Sequence, residues 1–480
     1  MIARVSSGSP PRPTSILDIS LGATAALATI VGMAVNAPSP VLLGVVLGGL
    51  ALAVVRPLAG LAALAVLVPL RQPDVVPGPM FLLISAVGLG CLLRLPFDLQ
   101  RPRIGLGMWF LATYLLLSLV TVPGWLSGGR PGEQEYVLYL AEQLLAVVGL
   151  FIIARYLLRS AAVTPYLLLL LGSAAFAGAL GILEWWWGGP AGIPVRALMS
   201  PAPDAEWTAR IRGPFFNQNY FGFLLASAIV LAMATIGRLR RSARVLPVLV
   251  AAIALVALAL TFSRGATLSL IIGLITLAWF RSRRLAAGLA VTATLLVAIA
   301  YPIFLDARAS GSGNELLSGL AAENDNTDLR GSILITGVRL FLRDPIVGVG
   351  YGRFTFESPW FEQSLLVTEP HNSYTQILAE QGLVGGAAAL GCVVALGMAI
   401  RAAGPPYRAA GAALLATVLA NGMFVAVTSS IQAAGLTAFA LGATLAASAA
   451  EREPLRQPIP VALRSTQGRG PRRTHAGAVP

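Results

Sequence analysis

Apolar residues run along this chain in long blocks, separated by short stretches that carry its polar and charged positions. A bilayer core takes about 20 apolar residues per helix, with a range of about 17–25. On that scale, runs fall near 15–35, 41–55, 57–70, 80–95, 106–123, 136–158 and 163–186. Others follow near 219–237, 245–262, 266–280, 285–304, 383–401, 408–427 and 431–450. The pair 41–55 and 57–70 is short for full spans, and Arg56-Pro57 marks either a hairpin or a break in one element. The pattern predicts an all-α integral membrane protein with 12–14 transmembrane helices.

Composition excludes the soluble alternative. Hydrophobic residues make up 56% and charged residues 11% of 480 positions, too few polar side chains to cover a globule of that size. Net charge is +13 and all 34 basic residues are arginine. They lie in short clusters between apolar runs, so the charge points to cytoplasmic loops and membrane lipids, not to nucleic acid. With residues 1–14 inside and sides alternating at each run, 23 arginines fall inside and 11 outside. That threading puts both termini in the cytoplasm. The first run is long enough to span, so it reads as a helix and not as a cleaved signal. Cys91 and Cys392 sit inside apolar runs and suit neither a disulfide framework nor a metal cluster.

The predicted organisation follows. Residues 1–14 are a cytoplasmic segment, and 15–304 hold the first eleven helices with an external loop at 187–218. Residues 305–371 make a large external loop, 372–450 the C-terminal helices, and 451–480 a basic, disordered cytoplasmic tail that includes His475. Within the large loop, Asp328 is placed to cap a helix that runs to about Asp344 and stops at Pro345. Leu334, Val338, Phe341 and Leu342 would give it a buried or membrane-facing side.

Four external places carry polar chemistry. Arg210-Ile-Arg212-Gly-Pro-Phe-Phe-Asn217-Gln-Asn219 precedes the eighth run, and reads either as an interfacial anchor with a capped helix start or as a binding segment. Ser263-Arg264-Gly265 is a tight turn that pins a guanidinium at the surface, where it either snorkels to headgroups or meets a ligand phosphate. Asp328-Leu-Arg330 is followed by the glycine-rich Pro345–Phe354 stretch. No strand precedes that stretch, which favours a flexible turn over a phosphate loop. Glu369-Pro370-His371-Asn372-Ser-Tyr374 leads into the twelfth run, with the sole histidine of the membrane body at its head. Glu380 lies half a turn out of phase with His371 and reads as packing support. Glu142 and Glu184, in or beside apolar runs, each call for a partner that the sequence does not name.

Together these segments resemble the O-antigen ligase and polymerase superfamily of bacterial membrane glycosyltransferases. The resemblance rests on Arg212-Gly with Asn217 and Asn219, Ser263-Arg264-Gly265, and Arg330 with the Pro345–Phe354 segment. It closes with His371-Asn372-Ser-Tyr374 and Ala379-Glu380-Gln-Gly382-Leu-Val-Gly385, and spans roughly 205–400. It implies a fold like the membrane glycosyltransferase C class, with no cofactor and no metal. The implied donor is a glycan on undecaprenyl pyrophosphate, and the implied acceptor is a hydroxyl on a glycan, lipid or protein. The transfer would invert the anomeric carbon at the outer face of the cytoplasmic membrane. On this resemblance, Arg212, Arg264 and Arg330 grip the pyrophosphate, His371 is the general base, and Asn217, Asn219, Asn372 and Tyr374 support them. The absence of an acidic pair outside agrees with metal independence. The histidine and long loop favour a ligase over a polymerase of the same superfamily. A flippase for lipid-linked sugars is the alternative of a different class, but it would favour a charged central cavity and internal repeats.

Overall fold

A computed structural model describes residues 16–34, 39–70, 79–98, 106–120, 131–158, 163–187, 210–215, 217–309, 325–357, 370–427 and 431–456. The N-terminal segment, most of the loop 187–218, parts of 305–371 and the tail beyond 456 lie outside the described residues, as does His475.

The described residues form α-helices and turns with no strand. The N-terminal set is α1 (Ile16–Ala34), α2 (Ser39–Val55), α3 (Pro57–Leu67), α4 (Pro79–Asp98) and α5 (Leu106–Val120). Next come α6 (Pro131–Leu157), α7 (Val163–Trp186), α8 (Gln218–Ile236), α9 (Val245–Thr261) and α10 (Arg264–Trp279). The last five are α11 (Arg283–Ala309), α12 (Asp325–Arg343), α13 (Ser373–Arg401), α14 (Pro405–Gly422) and α15 (Ile431–Arg456). Five helical stretches are long and apolar enough to cross a membrane, and seven shorter apolar helices of 10–17 residues accompany them. The protein is an all-α integral membrane protein.

Residues 41–70 form two helices broken at Arg56, where the sequence marks a hairpin or a break, and the Arg56 guanidinium pairs with Asp18 of α1 at 3.0 Å. Two boundaries differ from those the sequence predicts. Helix α12 begins at Asp325, three residues before the expected cap, so Asp328 lies in its first turn. Helix α15 continues to Arg456, past the expected end near residue 450.

Helix α8 is the hub. It is apolar on all sides, which suits a helix with no solvent- or lipid-facing stripe, and almost every residue from Tyr220 to Ala232 is buried. Helices α7, α9, α10, α14 and α15 pack around it. Close approach depends on small residues, as is usual between membrane helices. A side chain at Gly442 of α15 would lie 2.6 Å from the Phe151 carbonyl of α6. The hub also defines two ends of the bundle. At one end, Arg238 stacks over the Tyr407 ring at 4.1 Å, joining the α8–α9 turn to the start of α14. At the other, the α9–α10 turn meets the end of α14 and the head of α13, and there the chemically promising segments gather.

Candidate functional site

The site end is built from four turns stitched together by side-chain-to-backbone hydrogen bonds. The first, 210–219, lies against the second, 261–265. Arg210 is buried, and its Nε donates to the Thr261 carbonyl at 2.9 Å. Its Nη2 reaches the Phe262 carbonyl at 3.4 Å and Asn219 Oδ1 at 3.5 Å. The backbone N–H of Ile211 donates to the Leu260 carbonyl at 3.2 Å. These bonds serve carbonyls that the C-terminus of α9 would otherwise leave unpaired. Phe262 ends α9 in the left-handed region, with φ 51°.

Asn217 and Asn219 act in this architecture as ties. Asn217 Oδ1 caps α8 by accepting the Asn219 N–H at 2.8 Å. Asn219 Oδ1 accepts from Ser263 Oγ at 3.0 Å, and Ser263 in turn caps α10. Arg264 is therefore the first residue of α10, and it is exposed.

Glu184, near the end of α7, supplies the partner that its apolar surroundings demand. Its Oε2 accepts the backbone N–H groups of Arg212 at 3.0 Å and Gly213 at 2.8 Å. Its Oε1 lies 3.8 Å from Arg212 Nε, a coulombic pairing longer than a hydrogen bond. Arg212 is thus held beside a carboxylate, and an anion would share its guanidinium with Glu184. Gly213 has φ 54°, and a side chain there would lie 2.7 Å from the Phe221 ring, so the turn requires glycine.

The third turn, 421–427 at the end of α14, bridges the second to the fourth. A side chain at Gly265 would lie 2.6 Å from Phe424 Cβ, and Ser269 Oγ donates to Asn421 Oδ1 at 3.2 Å. On the other side, Asn372 Nδ2 donates to the Met423 carbonyl at 3.2 Å. Ser373 Oγ donates to the Val425 carbonyl and accepts from the Val427 N–H, both at 2.8 Å. Tyr374 OH donates to the Leu419 carbonyl at 2.6 Å. Asn372 also caps α13, its Oδ1 accepting the N–H groups of Tyr374 and Thr375, each at 3.0 Å. Sequence reasoning missed this bridging turn; an Asn-Gly pair ending an apolar helix was its only signal.

His371 stands immediately before that cap, partly buried and with φ 45°. A left-handed conformation is uncommon for a residue with a Cβ, although histidine tolerates it better than most. Such strain persists only where the surroundings over-determine it, and here the Asn372 cap and the buried Pro370 hold the backbone from both sides. Burial, with the nearby Arg330 guanidinium second, pushes the imidazole pKa down to about 4. His371 is therefore neutral at pH 7; Arg330 lies on α12, which packs against α13.

The Pro345–Phe354 segment departs from the expected flexible turn. Val349, Gly350, Tyr351 and Phe354 are buried. The N–H of Val349 donates to the Ala379 carbonyl and that of Gly350 to the Glu380 carbonyl, each at 2.9 Å. In return, Leu383 N–H donates to the Pro345 carbonyl at 2.8 Å and Val384 N–H to that of Ile346 at 3.1 Å. This exchange is possible because Gly382 kinks α13, with φ 62° and ψ −160°, and frees backbone groups there. Glu380 Oε1 accepts the Phe354 N–H at 3.3 Å and Oε2 accepts from Gln376 Nε2 at 3.3 Å. The glycines serve close backbone packing, and the N–H groups a phosphate would need are spent on α13. Tyr351 OH extends the tie to the Leu140 carbonyl of α6 at 3.1 Å.

The segments bearing Arg212, Arg264, Arg330 and His371 thus come to one end of the bundle. Arg330 is close enough for its charge to act on His371, while Arg212 and Arg264 reach the same end through the turns that carry them. Two comparisons bear on this arrangement. Residues 249–390 match a protein-family model described as O-antigen ligase. That stretch holds Arg264, Arg330, the interlocked 345–354 segment and His371, and leaves Arg212, Asn217 and Asn219 outside it. No curated protein matches the chain.

Proposed function

We propose that the chain is a ligase-type glycosyltransferase of the O-antigen ligase and polymerase superfamily, a reading supported by the match of residues 249–390 to the O-antigen ligase family model. Its donor is a glycan on undecaprenyl pyrophosphate, and its acceptor is a hydroxyl at the outer face of the cytoplasmic membrane. The observation that carries this reading is His371, backbone-strained at the capped head of α13, at the end of the bundle where the segments bearing Arg212, Arg264 and Arg330 gather.

In this reading the acceptor hydroxyl gives its proton to the imidazole of His371 as its oxygen attacks the anomeric carbon. The bond from that carbon to the pyrophosphate oxygen breaks, the configuration inverts, and the leaving group departs with its charge on the phosphates. A positioned base contributes about 10²–10⁴-fold. Arg330 and Arg264 bind the phosphates, with Arg212 sharing its charge between them and Glu184. A guanidinium suits this role because it remains charged in a low-dielectric site and binds phosphate oxygens in pairs. Arg264 adds the positive end of the α10 dipole.

The low basicity of His371 sets a condition on the same scheme. Without a ligand, the Arg330 charge helps to hold the imidazole neutral. Pyrophosphate beside Arg330 would offset that charge and raise the basicity of His371 when a donor is in place. Base strength and donor binding are then coupled through one arginine.

The test is the surface and lipid-linked glycan profile of a deletion strain complemented with wild type or His371→Ala. The proposal expects long chains to accumulate on the carrier lipid, unattached to any acceptor, with no rescue by normally expressed His371→Ala. Single repeat units without long chains would make the chain a polymerase. Full rescue by His371→Ala would overturn the catalytic reading.

A further inference from the structure

Helix α12 presents three kinds of surface. Ile333, Thr336, Gly337 and Leu340 are buried, and Gly337 leaves no room for a side chain against Thr375 of α13. Arg330 lies at one edge of that packed face. The opposite face is apolar yet uncovered: Leu334 is 47%, Ile335 54%, Val338 48% and Leu342 68% exposed. These positions recur at helical spacing, so they form one stripe. Leaving it in water would forgo about 25 cal/mol for each Å² of apolar surface.

The neighbouring chain indicates what covers it. The turn after α12 carries the stripe onward through Ile346 and Val347, which are 65% and 61% exposed. The Leu383 and Val384 N–H bonds to Pro345 and Ile346 set that turn directly against α13. There Leu383, Leu390, Val394 and Met398 form an exposed apolar row along a helix long enough to cross the membrane. An exposed apolar row on a helix of spanning length suits lipid contact, and the α12 stripe continues it. Arg339 and Arg343 border the stripe on one side and are exposed. Arg343 is neutralised by Asp344 and Glu357 at 2.8 and 2.9 Å, whereas Arg339 has no ion pair among the described residues. An apolar stripe edged by arginine is the pattern of a helix lying in the headgroup region.

We propose that α12 is an interfacial helix, with its Leu334, Ile335, Val338 and Leu342 face seated in the lipid at the His371 end of the bundle. Arg339 then reaches lipid phosphates. On the functional reading above, this seating also sets Arg330 at the depth of a membrane-anchored donor's pyrophosphate.

The test uses the full chain in phosphatidylglycerol-containing nanodiscs, with Cys91 and Cys392 replaced by alanine and one cysteine introduced at a time. Bimane at Val338→Cys and Leu342→Cys is expected to lose more emission to doxyl-labelled lipid than to aqueous iodide. Leu390→Cys serves as the lipid-facing reference, and Arg240→Cys, where iodide should dominate, as the water-facing one. Iodide quenching at 338 and 342 that matches Arg240→Cys would overturn the proposal. So would shielding from both quenchers, which would mean that protein, such as a second copy, covers the stripe. Quenching reads position and not transfer, so either failure leaves the catalytic reading to its own test.

Discussion

The two ends of the bundle use the same residue in opposite ways. At one end, Arg240, Arg241, Arg244, Arg281, Arg283 and Arg284 are all exposed. Their contacts are those of interfacial arginines: Arg244 Nε donates to the Leu239 carbonyl at 2.9 Å, and Arg283 lies over the Trp279 ring at 5.4 Å. At the other end, Arg210 is buried and donates to backbone carbonyls, Arg212 is braced by Glu184, and the Arg330 charge acts on His371. A guanidinium in water can be rearranged at little expense. One fixed in a dry turn keeps its charge in place before a ligand arrives, which is the arrangement that favours stabilising a developing negative charge. Location in the bundle, and not residue type, separates topological arginines from candidate functional ones.

The sharpest way to break this comparison is at His371. His371→Ala is expected to lower transfer from a lipid-linked donor by about 10²–10⁴-fold in membranes containing normal amounts of protein. Equal transfer would remove the chemical distinction between the ends. Arg264→Ala should follow, with a loss of about 10²–10³-fold, and Arg264→Lys should recover only part of it because an ammonium cannot bind two oxygens in parallel.

Glu184→Ala tests the bracing of the site end by stability. It strips the partner from two backbone N–H groups and one guanidinium, and leaving such groups unsatisfied costs about 1–3 kcal/mol. A lowered Tm in detergent is expected, and an unchanged Tm would show that the turn does not depend on the carboxylate.

A smaller effect lies in pH dependence. The folded pKa of His371 is about 4, below the ordinary value of 6.5. The fold therefore favours the neutral imidazole. Its contribution to stability is complete above pH 6.5 and is lost as pH falls towards 4. The base form persists over the same range, so the acid limb of kcat/KM for the free enzyme should lie near pH 4 and not near 6.5. Arg330→Gln should move that limb to higher pH, because one of the two causes of the depression is removed. A limb that stays in place would show that burial alone sets it. Smallest of all, Arg283→Gln with Arg284→Gln should leave transfer within about twofold, as for most exposed substitutions.

Much of the site was legible in the chain because its signals are local. His371 reads as standing at the head of a helix, and α13 begins two residues after it, capped by Asn372. Ser263-Arg264-Gly265 reads as a pinned turn, and Ser263 caps the helix that Arg264 begins. The glycine stretch was misjudged because local composition cannot distinguish a loose turn from one interlocked with a distant kink. Both have glycines, and only the Gly382 break in α13 opens the carbonyls that Val349 and Gly350 use. Glu184 announced the need for a partner by lying in an apolar run, but the partner came from 28 residues away.

Run length, helical period and charge asymmetry are properties of neighbouring residues, so the membrane bundle, its helix positions and the sorting of arginines follow from the order of the chain. The bridge at 421–427, the packing of α12 against α13 and the uncovered face of α12 belong to another level. Ser269 meets Asn421 across 152 positions, and Asn372 meets Met423 across 51. Such contacts exist only after the helices have packed, because the packing of α8 with its neighbours determines which turns share an end of the bundle.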